Sequence, residues 1–593
     1  MALAKDELRP YQALLVAQVD PESSLSADQV MKKLKDLLKV KVRDSGRKMV
    51  ASGRAEDPSA AFVHYQDRRP VSWSLVPVLD RVNHLAVVVA RGKWVAIHCT
   101  ESSRRDTIVR ALRKRKLGPM APVRSGHLKA AFMKGPARTL WLRGTHKSTP
   151  YKADSKVLAS RDLAPALDPL GDQSYHYTAA RCEPDNPKIG DVMGLAVEQS
   201  RVWITQSEDW YDFAGVVSAL FDALEETIGQ STEPLPVLAE SQADLDEVEG
   251  AYDVAISPPE MMMIGPVQDA FGAQYLADME KFAFGTQFEV TGSEDDTLSA
   301  HVLRRGEVLG ELELRFEGED GRLNTIATGV AAGGHEEAFA EVLEVVRDPE
   351  ALTVYFESGH TIQEGKVFTI RHRDIPFSGW SWVDFGDYWS IDQEKPGGNI
   401  YEIGSGRSLF DWVLADWPAA VVPEGARGWL ACDDRPGETA DFLHIDDSGE
   451  VPTLTLIHVK AAKSDSDGRK IAVVPYETVA AQAIKNIRHL DAVLAAGELL
   501  GGTLPEGIEL AAWFEGEQRS REEFIARLNA LGSNFSRRVA IIQPHVRKGL
   551  VQEVRGNTNH AQAARLRQLD TLLHGVAANC QSAGADLVVV GAS

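Results

Sequence analysis

Between Trp429 and Asp491 the chain gathers residue types able to hold a divalent cation against a phosphodiester. The carboxylates come first: Asp433 and Asp434, Glu438 after Gly437, and Asp441 after Ala440. Two β-type runs, ADFLHI and TLTLIHV, flank the turn-forming DDSGE and predict a hairpin. Asp441 begins the first strand, and His458 and Lys460, two apart on the second, should project from one face of the sheet. YETVAAQAIKNIRHLD predicts a helix with Gln482 and Lys485, three apart, on one face. Acid-rich turns are common and a His-x-Lys pair alone carries little, so the reading rests on the order of the three pieces. As an acid and an amine at the edge of a cleft, Asp441 and Lys460 should be partly solvated and little needed for folding.

These motifs resemble the PD-(D/E)XK nuclease superfamily, in particular the branch found in bacterial restriction and phage-defence proteins. That branch carries a DDxxGExAD segment, an H-x-K strand and a QAxK helix. Here they read Asp433-Asp434 with Gly437-Glu438 and Ala440-Asp441, then His458-Val459-Lys460, then Gln482-Ala483-Ile484-Lys485. The resemblance covers about residues 402–491, with EIGSGRSLFDWVL (Glu402 to Leu414) expected to add the fold's first helix. It implies Mg²⁺ or Mn²⁺ held by Asp441 with Glu438 or Asp434. It also implies a Lys460 that positions water or stabilises the phosphate, with Gln482 and Lys485 supporting from the helix. His458 departs from the pattern, standing where a second acid is expected, and a histidine brings no negative charge to a hard cation. Either Glu438 or Asp434 supplies the missing carboxylate, or activity is weakened.

Those pieces need a scaffold larger than one core. At 593 residues the chain predicts several domains, and 44% hydrophobic with 25% charged residues is ordinary globular composition. Four scattered cysteines without a C-x-x-C pair argue against zinc ribbons and disulfide frameworks and suit a reducing, cytoplasmic setting. The charged N-terminus does not read as a signal peptide, and no apolar run approaches a membrane span. The net charge of −22 hides an asymmetry: residues 1–150 hold 29 Lys and Arg against 13 Asp and Glu, leaving 35 against 73 elsewhere. A basic end on an acidic chain is suited to polyanions.

Along the chain, ALLVAQV reads as a strand, and Ser26 caps a helix whose lysines face solvent. LAVVVARGKWVAIHCT reads as a hairpin turning at Arg91-Gly92, followed by a basic helix ending in Arg113, Lys114, Arg115 and Lys116. A basic, hydroxyl-rich loop follows, with Arg143, Lys147 and Lys152 as further phosphate donors. A solvated basic surface is the alternative for both groups. Residues 229–250 read as a boundary or an exposed connection, and residues 250–385 as alternating strands without evident chemistry, for packing, spacing or partner binding. The aromatic run FSGWSWVDFGDYWSI reads first as packing and second as a base-stacking surface. RRVAIIQPHV, a helix and ADLVVVGAS predict a β–α–β unit extending the central sheet, with His545 and Arg547 in a surface loop after a strand. No Walker or dinucleotide motif appears, so any unwinding must come from a helicase-like partner.

The expected architecture is α/β (α+β) multidomain: a basic α/β N-terminal region over 1–235, a β-rich middle over 250–385 and a restriction-endonuclease-like mixed sheet flanked by helices over 395–593. The expected function is Mg²⁺- or Mn²⁺-dependent deoxyribonuclease action on DNA in antiphage defence, with a homo-oligomer compatible with that role. The alternatives are a weakened nuclease fold that binds nucleic acid or scaffolds a complex, and a ribonuclease acting on RNA.

Overall fold

The computed structural model describes residues 4–593 except 42–46, 57, 72, 77, 102–103, 148–152, 243–244, 246–247, 258–279, 295, 320–321, 350, 370–374, 398–401, 422–426, 436, 463, 502–505 and 558. The chain divides into two compact units, 1–167 with 172–371, and 168–171 with 372–593. The class is mixed α+β and multidomain.

In the first unit an 11-stranded sheet is built on the central strand Tyr11–Val19, which pairs antiparallel with Trp94–Cys99 and Arg201–Gln206. Its central strands are buried almost continuously, Trp94–Cys99 at every position, because both faces are covered. Leu14, Val16, Val87 and Val89 join the core of helix Trp210–Glu226, whereas Leu15, Ala17, Ala86 and Val88 join that of helix Ala27–Leu37. Ser26 caps the latter helix as expected, in a reciprocal box with Gln29. A five-stranded sheet and the four-stranded antiparallel meander Thr286–Glu294, Thr297–Arg304, Glu307–Glu319 and Arg322–Ala331 share a second core with helix Glu336–Val346. Residues 229–250 are not simply an exposed connection, because Leu235 and Leu238 are buried in the N-terminal core.

The second unit is organised on one eight-stranded sheet. Its order is Trp380–Val383, Asp586–Ala592, Ser536–Arg547, Thr453–Val459, Phe442–Asp446, Trp429–Cys432, Ala512–Phe514, Glu517–Arg519. The first four run parallel and the rest pair antiparallel, so the expected hairpin and the terminal β–α–β unit are both present. Period-two alternation sends Leu454 and Leu456 to the face covered by helices Val474–Asn486 and Ala563–Ser582. Ile457 and Val459 go to the face covered by helix Leu409–Ala415, which starts at a Ser408–Asp411 capping box.

The strand Trp380–Val383, grouped by sequence with the middle segment, is hydrogen-bonded to this sheet. Trp380 and Trp382 stack at 4.6 Å, and Trp380 meets Tyr476 edge-on, so these two tryptophans of the aromatic run pack within the unit, whereas its Tyr388 is exposed. Gly591 permits it, since a Cβ there would lie 2.5 Å from the Trp382 ring. His545 is buried inside its strand rather than in a surface loop, because Pro544 and His545 continue the buried run and the imidazole reaches the Lys470 carbonyl at 3.0 Å. Among the described residues no helix is long and apolar enough to cross a membrane, and all four cysteines are free and buried.

Candidate metal centre

The loop from Trp429–Cys432 to Phe442–Asp446 is held from inside. Asp433 is fully buried and accepts from Arg435 Nε at 2.8 Å, from the Thr439 amide at 3.0 Å and from the Arg521 guanidinium. Arg521 also donates to the carbonyls of Cys432 (2.9 Å) and Leu499 (3.2 Å), and Arg435 to those of Glu498 and Gly501. Two guanidiniums and the Thr439 amide satisfy the Asp433 carboxylate, and carbonyls take up the remaining guanidinium donors, the condition under which a buried charge is tolerated. Gly437 takes φ +82°, a left-handed conformation that costs other residues about 1 kcal/mol. So clamped, the loop turns its remaining carboxylates to one place.

Ligand oxygens of Asp434, Glu438 and Asp441 all lie within 4.8 Å of one another. Asp441 is buried and accepts the Val459 amide at 2.8 Å across the strand pair. Its expected solvation is therefore wrong: the residue before the strand is already inside the sheet. Burial first, then the neighbouring charges of Glu438, Asp434 and Glu394, pushes its pKa well above the carboxylate range. Glu438 is also pushed up, by burial and then by Asp434. Asp434 has a counter-charge, Lys395 Nζ at 2.7 Å. Burial disfavours the Lys395 ammonium, but its bond to Asp434 and the surrounding carboxylates leave its pKa raised.

The other sequence-selected residues separate by environment. Lys460, just past its strand, pairs with Glu394 Oε2 at 2.7 Å and keeps 40% of its side-chain surface exposed. His458 is fully buried, on the helix-covered face by strand alternation, and both ring nitrogens lack a protein partner. Burial, and then the charge of Lys485, lowers its pKa to about 3, so it is a neutral imidazole. It is not among the converging ligand atoms. Gln482 reaches Glu438 Oε1 from the helix at 3.3 Å, leaving its own buried Oε1 without a partner, and Lys485 is exposed on the next turn.

The basic residues of the first unit mostly meet partners within it. Arg113 donates to the Glu198 carbonyl at 3.2 Å, and Arg115 pairs with Asp20. Arg143 pairs with Glu364 at 3.5 Å, and Lys147 with Asp253 at 2.9 Å. Lys114 and Lys116 are exposed beyond the helix Arg105–Arg113, whereas Lys152 lies outside the described residues.

Sequence reasoning missed Glu394, Lys395, Arg435 and Arg521. Glu394 and Lys395 arrive because the carbonyls of Gln393 and Glu394 accept from the amides of Leu409 and Phe410, which pins an irregular segment to a helix start. No local pattern announces such an approach, although Arg435 directly after two aspartates was a visible signal. The donor set is all hard oxygen, which suits Mg²⁺, Mn²⁺ or Ca²⁺ rather than softer metals. Three mutually repelling carboxylates, two of them driven toward protonation, fit such a cation. No family model, curated protein or solved structure matches the chain.

Proposed function

We propose that this chain is a divalent-cation-dependent nuclease that hydrolyses phosphodiester bonds of DNA, with a restriction-endonuclease-like C-terminal unit. The observation that carries the reading is the convergence of Asp434, Glu438 and Asp441 beside Lys460 and Gln482, where burial and repulsion leave the carboxylates short of counter-charge. The mixed sheet flanked by helices is of the kind the motif resemblance implies. Asp441, Glu438 and Asp434 would hold the cation, which when bound acidifies water and neutralises charge developing on the phosphate. Glu394 fixes the position of the Lys460 ammonium through a 2.7 Å ion pair, from where it would donate to a phosphate oxygen. Gln482 keeps Glu438 in place from the helix. The setting that fits is phage defence beside a partner supplying any helicase activity.

The test is cleavage of plasmid, linear, single-stranded and RNA substrates with Mg²⁺ or Mn²⁺ and a chelator control. Asp441→Asn should reduce the rate by roughly 10²–10³-fold, the scale of losing one charge-stabilising group. Equal rates in a folded Asp441→Asn protein would sink the assignment.

A further inference from the structure

The antiparallel strands Ala60–Pro70 and Leu79–Arg91 outrun their neighbour. Strand Arg47–Ala55 pairs only as far as Asp67, so among the described residues Arg68↔Arg81, Arg69↔Asp80 and Pro70↔Leu79 form a two-stranded ribbon. Alternation puts Gln66 and Arg68 on one face with their partners Asn83 and Arg81. Asp67, Arg69 and His84 belong to the other face, where they are buried or half-buried with Arg47 and Glu101.

Among the described residues of these two strands the first face therefore has no carboxylate. Arg68 and Arg81 stand directly opposite each other, exposed, and among the described residues neither makes an ion pair. Like charges in a directly opposed pair are destabilising unless an anion lies against both. Gln66 Nε2 donates to Asn83 Oδ1 at 3.3 Å, and His64 Nε2 bonds the same oxygen at 2.9 Å, which fixes the side-chain amides beside the arginines. At the tip Trp73, Leu75 and Val76 stand in solvent, Trp73 with 77% of its surface exposed.

We infer that this ribbon is a recognition arm for duplex nucleic acid, inserted in a groove with its arginines on phosphates or guanine edges and its apolar tip against a base step. The inference rests on the nuclease reading and deepens it by naming the substrate class and the element that grips it. A two-stranded ribbon fits a major groove about 12 Å wide, and Arg, Gln and Asn are the side chains that pair with base edges there. Apolar wedges at a base step are the recurrent partners of such interactions.

The experiment uses the full chain in chelator, so that binding is read without cleavage. A labelled short duplex, the matching single strand and phosphatidylserine vesicles are titrated at several salt concentrations. Arg68→Gln with Arg81→Gln should weaken duplex binding at least roughly tenfold and flatten the log–log salt slope by about 1.8, at about 0.9 for each phosphate no longer neutralised. Trp73→Ser with Leu75→Ser should weaken binding while leaving the slope unchanged. Unaltered duplex affinity and slope in folded arginine variants would overturn the arm, and so would wild-type protein that binds vesicles but not duplex. Metal-supported cutting by wild type is scored separately. Cutting by wild type, with arginine variants that bind as wild type does, removes the arm and spares the nuclease reading, whereas slope-sensitive binding without cutting does the reverse.

Discussion

Among the described residues two places bring three potential metal ligands within 4.8 Å: Asp67, His84 and Glu101 in the first unit, and Asp434, Glu438 and Asp441 in the second. Their surroundings are opposite. Glu101 is held by Arg47 through both oxygens, at 3.1 and 2.6 Å, and accepts the Tyr65 hydroxyl at 2.8 Å. Arg47 also lies 3.6 Å from Asp67, and Arg69 approaches both Asp67 (3.9 Å) and His84 Nε2 (3.2 Å). Guanidiniums already occupy the place of a cation there, and because they cannot deprotonate they cannot yield it. Around the second cluster the guanidiniums of Arg435 and Arg521 go to Asp433, and among the described residues only Asp434 of the three converging carboxylates makes an ion pair, with Lys395. Ligand types at the right separation thus do not define a metal site. The charge left over after the protein's own cations are counted does.

The largest expected effect is on the occupied triad. Arg47→Ala takes from buried Glu101 the partner of both its oxygens, leaving as ion-pair partner among the described residues only the more distant Arg104 at 3.6 Å, and should cost up to about 3–5 kcal/mol, read as a shift of the urea transition at neutral pH. Added Mg²⁺ should not recover it. Full recovery by Mg²⁺ would mean that the two clusters are the same kind of site.

Next comes stabilisation by cation at the second cluster. At a concentration a hundred times Kd it should amount to about 2.7 kcal/mol, and it should vanish in Asp441→Asn. The pH dependence has a definite sign. Asp441 and Glu438 have folded pKa values above their unfolded ones, so their contribution in cation-free protein is fully present below the unfolded carboxylate pKa and is lost as pH rises through the folded values. Asp441→Asn, which keeps an acceptor for the Val459 amide, should therefore stabilise the cation-free protein at neutral pH, and the Mg²⁺ increment in wild type should grow with pH. A variant that is less stable without cation, yet keeps the increment, would place Asp441 with the structural acids.

Local pattern carried the hairpin, the Gln482/Lys485 helix and the terminal β–α–β unit, because two- and 3.6-residue periodicities are properties of neighbours. It could not tell Asp433 from Asp434. Which one turns inward is decided by Arg521, 88 residues later, and by where Glu394 is pinned. Nor did alternation along ADFLHI and TLTLIHV reveal that Asp441 and His458 are buried. Burial is set by the helix and sheet laid over them from elsewhere in the chain.

His458 gives a smaller effect, visible only in acid. Its folded pKa of about 3 lies below the unfolded value, so its contribution is present above the unfolded pKa and is lost as pH falls from about 6.5 towards 3. The loss is about 1.4 kcal/mol per pH unit where only the unfolded chain is protonated. His458→Leu should shallow that slope and remain folded at pH 7, since neither ring nitrogen has a protein partner to lose. Cutting that collapses in a folded His458→Leu protein would give the imidazole a part in the reaction.

The smallest stability effect belongs to Lys460, and its smallness is informative. Its ion pair with Glu394 is short, 2.7 Å, but the amine is 40% exposed and solvent screens it. Lys460→Ala should cost under about 1 kcal/mol, the range of exposed pairs. Cutting should nonetheless fall by roughly 10²–10³-fold if the amine donates to the phosphate. A fully structural pair, like Arg47 with Glu101, predicts the reverse ratio: a large loss of stability and activity that follows the folded fraction. Lys460→Arg keeps the charge and the reach to Glu394 and should recover part of the rate. Urea titrations and initial rates on the same three preparations separate the two cases, and an unchanged rate in folded Lys460→Ala would remove this residue from the site.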